Sequence, residues 1–238
     1  MPPVYRIAAV VALSLTGCLD PDTLDTADTG LGDGPLRGAL SFGFPLLERA
    51  AMAPPIIGYD HDPEVYEGIY RAYCTDYMGR GFPHCYDEHD GSDFMLDGGF
   101  DAMDAGSATI IAALPGTVVE TEDGNYDRCH SDMSTQDVDC DGHPMVGNHV
   151  ILEHSGGYRT LYWHMMIESV AVAVGDEVQA GAPLGRVGSS GYSSGPHLHF
   201  ELQDAEGVSI DPFAGEFSQP ETWWCEQGDP DDFPGECP

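Results

Sequence analysis

The residues best placed to do chemistry lie in the run Gly195-Pro196-His197-Leu198-His199-Phe200-Glu201. Apolar side chains alternate there with two imidazoles and a carboxylate, the pattern of a β-strand. In a strand, residues i and i+2 point to the same face. His197, His199 and Glu201 then line one side, while Leu198, Phe200 and Leu202 face a core. An H-x-H pair also arises on solvated strands, so a metal site needs further donors from elsewhere. His89-Asp90-Gly91-Ser92-Asp93 offers a His and an Asp four residues apart, in an Asp- and Gly-rich loop or short irregular strand. Gly91 would let the backbone bend so that both side chains converge. His, Asp and a second His suit zinc and leave a fourth position for water. His84 and Glu88 repeat the spacing without the glycine and form a rival pair.

A third element is Tyr162-Trp163-His164. It closes a hairpin that runs through Val150-Ile151-Leu152-Glu153-His154, turns at Ser155-Gly156-Gly157 and returns from Tyr158. His164 would then project beside the metal without being needed as a ligand. Zinc polarises a carbonyl and acidifies water. A neutral imidazole at His164 or His197 can take a proton near working pH, and the other can hydrogen-bond an oxyanion. Either ring fits either role. Glu201 is a candidate to orient a ligand imidazole through its free N–H, the bland alternative being a solvated strand carboxylate. His154 is expected to bond locally at its turn. His61, His130, His143 and His149 receive no role.

The ordered set HDGSD, GNHVILEHSGGYRTLYWH and VGDEVQAGAPLGRVGSSGYSSGPHLHFEL resembles the lysostaphin-type zinc metallopeptidases, the β-lytic endopeptidases of the bacterial cell wall. The resemblance runs from about His89 to Pro212. It implies that His89, Asp93 and His199 bind zinc and that His164 and His197 assist catalysis. It also implies a zinc-dependent endopeptidase that hydrolyses peptide cross-links of peptidoglycan. The alternative is a catalytically silent relative that binds cell wall or activates another hydrolase; the complete residue set favours the enzyme. The chain departs from the family in two insertions. One, Met95 to Gly106, delays the next strand; the other, Asp123 to Gly147, carries Cys129 and Cys140; both are expected as loops that border the groove.

The elements that must hold these residues read as mainly β. Strand-like runs cover Thr109–Ala113, Thr117–Glu122, His149–His154, Tyr158–His164, Val170–Val174 and His197–Leu202, and Pro63 to Met78 is the one expected helix. The expected fold is an antiparallel β-sandwich or partly open barrel with disulfide-stapled insertions. The turns Gly175-Asp176-Glu177-Val178 and Gly181-Ala182-Pro183-Leu184-Gly185 also look like those of lipoyl-type carriers. A carrier needs a modifiable lysine, and this chain has none. The expected divisions are a leader at 1–17, an acidic tether at 18–35, an N-terminal extension at 36–88 that packs on the peptidase domain at 89–218, and a C-terminal tail at 219–238. Trp223 and Trp224 in that tail read as a cap on the core.

Met1 to Gly17 has a single charge at Arg6 before an apolar run too short to span a membrane, as in a secretory signal. Leu15-Thr16-Gly17-Cys18 resembles a bacterial lipobox, which would make Cys18 the lipidated first residue. Asp20 to Pro35 then reads as a disordered tether. Of seven cysteines, assigning Cys18 to lipid leaves local pairs. The expected disulfides are Cys74–Cys85, Cys129–Cys140 and Cys225–Cys237, suited to an oxidising envelope. The expected location is the cell envelope, lipid-anchored in the outer membrane and facing the periplasm. Cross-links between D-alanine and diaminopimelate are then expected ahead of glycine bridges. Lys and Arg number 8 against 41 Asp and Glu, a net charge of −33. That excludes nucleic acid, which needs a basic footprint, and leaves the lipid as the only membrane attachment. Asp137, Asp139 and Asp141 begin a D-x-D-x-D-G calcium pattern, with Asn148 where the closing Glu belongs. One zinc per chain and a monomer complete the expectations.

Overall fold

Alternating apolar and polar residues build the strands that carry the site. In chain order they are β1 (Met52–Ile57), β2 (Ser92–Leu96), β3 (Thr109–Ile111), β4 (Gly116–Glu122), β5 (His130–Asp132), β6 (Asp137–Asp139), β7 (His149–Glu153), β8 (Arg159–Trp163), β9 (Glu177–Val178), β10 (Pro183–Arg186), β11 (His197–Gln203) and β12 (Ser209–Ile210). A short helix, α1 (Gly99–Asp104), follows β2. The computed structural model describes residues 40–66, 72–135 and 137–237. The leader at 1–17, Cys18 and the tether at 18–35 lie outside these described residues.

The main sheet runs β1-β2-β11-β8-β7-β4-β9 with every neighbour antiparallel, and β12 adds to β11. It is open: β1 and β9 are its two ends. Pro54 and Pro55 are compatible with β1 because an edge strand has one row of N–H groups facing outward. β3 pairs with β10, and β5 with β6, in separate ribbons.

On one face of the sheet Leu198, Phe200 and Leu202 meet Phe94, Tyr162, Val150 and Leu152, all buried. Each such side chain contributes roughly 2 kcal/mol by leaving water. Two segments outside the hairpins close this face. Phe42 donates its backbone N–H to Trp223 and accepts one from Cys225, both at 2.9 Å. Its ring meets Trp224 edge-on at 4.9 Å and Phe200 at 5.7 Å. The extension and the tail are thus zipped together over the core. The structure forms the disulfides Cys74–Cys85, Cys129–Cys140 and Cys225–Cys237.

Three expectations need correction. Among the described residues, the helix expected over Pro63–Met78 is absent; 67–71 lie outside them. Acidic side chains take the amide protons a helix would use: Asp87 accepts from Tyr66 N, Asp60 from Thr75 N, and Asp76 from Met78 N. Val170–Val174 is not a strand; Ala171 N makes one isolated bond to Leu184 O. The first insertion, expected as loop, contains α1.

Candidate metal centre

Strand register brings the polar face together. His199 on β11 stands directly opposite Asp93 on β2 and opposite Trp163 on β8. Directly opposed side chains lie about 5 Å apart at Cβ, so Asp93 and His199 meet without a special loop. His89 precedes β2 and is clamped from the N-terminal extension. Its Nδ1–H donates to Gly58 O at 2.6 Å, and its carbonyl accepts Asp60 N at 2.8 Å. Asp60 also accepts Glu88 N at 3.1 Å, where Glu88 holds a left-handed φ of 61°.

The carbonyl of Gly58 can only accept, so the proton of neutral His89 sits on Nδ1 and Nε2 carries a lone pair. That lone pair lies 3.1 Å from Asp93 Oδ1 and 3.1 Å from His199 Nδ1, and His199 Nδ1 lies 2.9 Å from Asp93 Oδ1. Tetrahedral zinc, with bonds of about 2.0–2.1 Å, spaces its ligand atoms about 3.3 Å apart. The three edges are close to that figure, and one carboxylate with two imidazoles is a zinc donor set, so these residues fit the ion. All three are buried. Burial pushes Asp93 up, but the electrostatic pull of the His89, His197 and His199 rings around it holds it well below the usual carboxylate range.

The chain bends at Gly91 as expected, and the glycine serves a second purpose. Its φ is not in the left-handed region. A Cβ there would stand 2.6 Å from His199 Cε1 and 2.7 Å from Phe200 O. The glycine makes room for the ligand ring.

His164 and His197 form a second pair beside the first, with ring centroids 4.6 Å apart; His164 is 5.9 Å from His199. His164 Nδ1–H donates to Ser190 O at 2.7 Å, and His197 Nδ1–H donates to Gly195 O at 2.7 Å. Both rings therefore present Nε2 as a base. Burial first, then repulsion from His197 and His199, hold His164 well below the usual histidine range. Burial likewise lowers His197, with Asp93 and the Gly195 carbonyl opposing. His164 has a left-handed φ of 66°, a strained state for a residue with a Cβ. Asn148 over-determines it. This fully buried amide donates to Met165 O at 3.1 Å and Asn125 O at 3.0 Å, and accepts Asn125 N at 2.9 Å. Its N–H meets Ser190 Oγ at 2.8 Å, and its carbonyl accepts Met165 N at 2.9 Å.

Gly58, Asp60, Asn148 and Ser190 were missed from sequence, because hydrogen bonds between distant backbone segments leave no spacing signal. Asp90 was passed over although it neighbours His89; its Oδ1 lies 3.5 Å from His199 Nε2. Glu201 lines the same side, but its Oε1 accepts from Ser209 Oγ at 2.5 Å and Gln203 Nε2 at 2.8 Å rather than from a ligand ring. The rival pair has no place: His84 and Glu88 join no group of metal donors among the described residues. His154 bonds locally, to Pro115 O at 2.9 Å and Thr160 Oγ1 at 2.8 Å. The calcium pattern does not converge as expected. Asp139 and Asp141 gather with His130, whereas Asp137 accepts from Tyr192.

A groove of about 540 Å³ opens at the site, lined by residues that include Tyr86, Asp90, Trp163, His164, Tyr192, His199 and Glu201. Among the described residues, neither insertion, though expected to border the groove, supplies one of its lining residues; the second instead supports a neighbouring loop. Cys129 N donates to Ser189 O at 2.9 Å and Ser131 N to Ser194 O at 3.0 Å, bracing the loop that leads into His197.

A family model described as Peptidase family M23 matches residues 88–212. The peptidoglycan DD-endopeptidase ShyA of Vibrio cholerae is 40% identical over 60 residues, 25% of this chain and 14% of that protein. The glycyl-glycine endopeptidase ALE-1 of Staphylococcus capitis is 45% identical over 56 residues, 23% of this chain and 15% of that protein. The match thus spans only a small part of the length of these relatives. Among solved structures, a chain of the SpoIIQ–SpoIIIAH pore-forming complex is 22% identical with a TM-score of 0.45, covering 73% of this chain and 89% of that one.

Proposed function

The chain belongs to peptidase family M23, and on that premise we propose that it is a zinc-dependent endopeptidase that hydrolyses peptide cross-links of peptidoglycan. The observation that carries this reading is the triangle of His89 Nε2, Asp93 Oδ1 and His199 Nδ1, with edges of 2.9–3.1 Å. A zinc ion held there supplies Lewis acidity toward a scissile carbonyl and toward water. The chain supplies the rest. His89 is locked as an Nε2 donor by Gly58, and Asp93 brings one negative charge. His164 and His197, kept neutral by burial, present Nε2 to the same space. One accepts the proton of the attacking water, and once protonated it can return that proton to the departing amine. The other hydrogen-bonds the oxygen on which charge develops. The groove receives the peptide on either side.

The working place proposed is the cell envelope, with Cys18 as the lipid attachment and the acidic tether between lipid and domain. The disulfides support an oxidising compartment. The proposed divisions stay as read from sequence, with 89–218 as the peptidase domain.

A zymogram on purified cell wall tests the activity. Lysis is expected from the zinc-loaded protein, lost with chelator, restored by zinc and absent in His199→Ala. Lysis that survives His199→Ala would sink the metal mechanism. Wall binding without lysis under zinc-replete conditions would turn the assignment to a silent relative.

A further inference from the structure

The insertion at 123–147 is bonded to both loops that carry the two imidazoles outside the metal triangle. Toward His164, Asp127 Oδ2 accepts Ile167 N at 2.8 Å, and Asn125 gives its N–H to Asn148 Oδ1 and takes Asn148 Nδ2 on its carbonyl. Toward His197, Arg128 and Ser189 form a parallel bridge. Cys129 N donates to Ser189 O at 2.9 Å, and Ser131 N to Ser194 O at 3.0 Å. The disulfide Cys129–Cys140 closes the insertion at this point, and both cysteines are buried.

Side chains carry this hold inward. Ser189 and Ser193 are 0% and 1% exposed, so bulk water does not answer their hydroxyls. Ser189 Oγ lies 2.6 Å from Cys129 O. A carbonyl only accepts, so the Ser189 proton is spent there. Ser189 Oγ is left as an acceptor, 2.8 Å from Ser193 Oγ, and Ser193 turns its one proton to it. The Ser193 oxygen then faces the His197 ring. His197 Nδ1 lies 2.7 Å from Gly195 O and 3.3 Å from Ser193 Oγ, two oxygens 2.9 Å apart, and its N–H serves both. Three protons thus point one way, from His197 through Ser193 and Ser189 to the carbonyl of Cys129. Bonds in such a buried chain polarise and strengthen one another.

We propose that Ser189 is a positioning residue through which the second insertion fixes the His197 ring. Its kinetic consequence rests on the peptidase reading; the hold on the ring does not. Ser189 is not among the groove's lining residues, so it acts through Ser193. Without the Ser189 hydroxyl, the Ser193 proton turns to Gly195 O and competes there with the ring N–H. His197 then loses the partner that aims its Nε2.

The test uses zinc-loaded protein and a cross-linked peptide released from purified wall. A catalytic ring out of place costs rate rather than binding, so Ser189→Ala is expected to lower kcat about tenfold, with KM and zinc content at wild-type values. Ser193→Ala is expected to do the same. The double variant should fall no further than either single one, because both break one chain. A double variant down by about a hundredfold, the product of independent losses, would overturn the proposal. So would wild-type kcat in Ser189→Ala, or a loss of its zinc, which would tie the serine to the metal instead. Hydrogen exchange at His197 Nδ1, followed by NMR in the zinc-free protein, needs no catalysis. It is expected to quicken about tenfold in Ser189→Ala, while the backbone amides of Leu198 and Phe200 exchange as in the wild type. Amides that quicken alongside the ring would mean general loosening and overturn the positioning role. A ring that responds in a protein that never cuts wall would remove the peptidase reading and keep the brace. A ring that does not respond would remove the brace, even in an active peptidase.

Discussion

Gly91 and Asp93 act on one imidazole from opposite needs: Asp93 must touch His199, and Gly91 must stay out of its way. Gly91→Ala places a Cβ 2.6 Å from the ring and 2.7 Å from the Phe200 carbonyl. Backbone cannot yield as a flexible chain end does, so the ring must turn. Displaced ligands lower metal affinity by about 10–100-fold. The expected outcome for Gly91→Ala is a loss of zinc affinity of that order in a chelator competition, with circular dichroism unchanged; wild-type affinity would remove the steric role. His154 offers a test away from the metal. Burial lowers its pKa, against the Pro115 carbonyl and Glu153. A base whose folded pKa is depressed is protonated more readily when unfolded. Its contribution to stability is full above the unfolded value of about 6.5 and is lost as pH falls toward the folded value. The thermal midpoint should drop as pH falls below about 6.5, and His154→Gln should flatten that drop. An identical pH profile in the variant would show that His154 takes no part.

At the scale of elements, the hairpins were legible and the clamps were not. Period-two alternation in residues 197–202 marks which side chains share a face, and that alone placed His199 and Glu201 on the polar side. Register is a different matter. That His199 faces Asp93 depends on β2 pairing with β11 across more than a hundred residues of chain, a distance at which no local pattern speaks. The extension fared worst. A helix was expected over Pro63–Met78, yet Asp60 just before it spends its carboxylate on three amides, those of Asp62, Thr75 and Glu88. This segment lies outside the family-matched residues 88–212 and still holds His89 by side chain and backbone. Asp60→Ala should therefore do two things. Freed, partly buried amides cost about 1–3 kcal/mol, seen as a lower unfolding midpoint. Zinc affinity should fall by about tenfold or more as His89 loosens. Asp60→Asn keeps one acceptor and should recover part of both. Unaltered zinc affinity in Asp60→Ala would mean that Gly58 alone holds the ring.

For the molecule as a whole, charge is the dominant unbalanced quantity. A net charge of −33 sets how the fold responds to ionic strength. Folding draws the acidic groups together, and their mutual repulsion works against the compact state. The ion pairs that would oppose this are mostly on the surface: Arg128–Asp104 and Arg159–Glu153 join side chains that are 42–53% exposed. Such pairs contribute little, and salt removes little by screening them. The screening length shrinks from about 30 Å at 0.01 M to about 10 Å at 0.1 M, enough to mute repulsion between neighbouring carboxylates. Sodium chloride raised from about 0.01 to 0.3 M should therefore stabilise the protein. A gain near 1 kcal/mol corresponds to a rise of about 2–4 °C in the thermal midpoint for a domain of this size. Choline chloride at the same ionic strength should give an equal rise, since screening is indifferent to the cation. A midpoint that falls with salt would mean that ion pairs outweigh repulsion. A rise with sodium and none with choline would replace screening by cation binding at specific carboxylates.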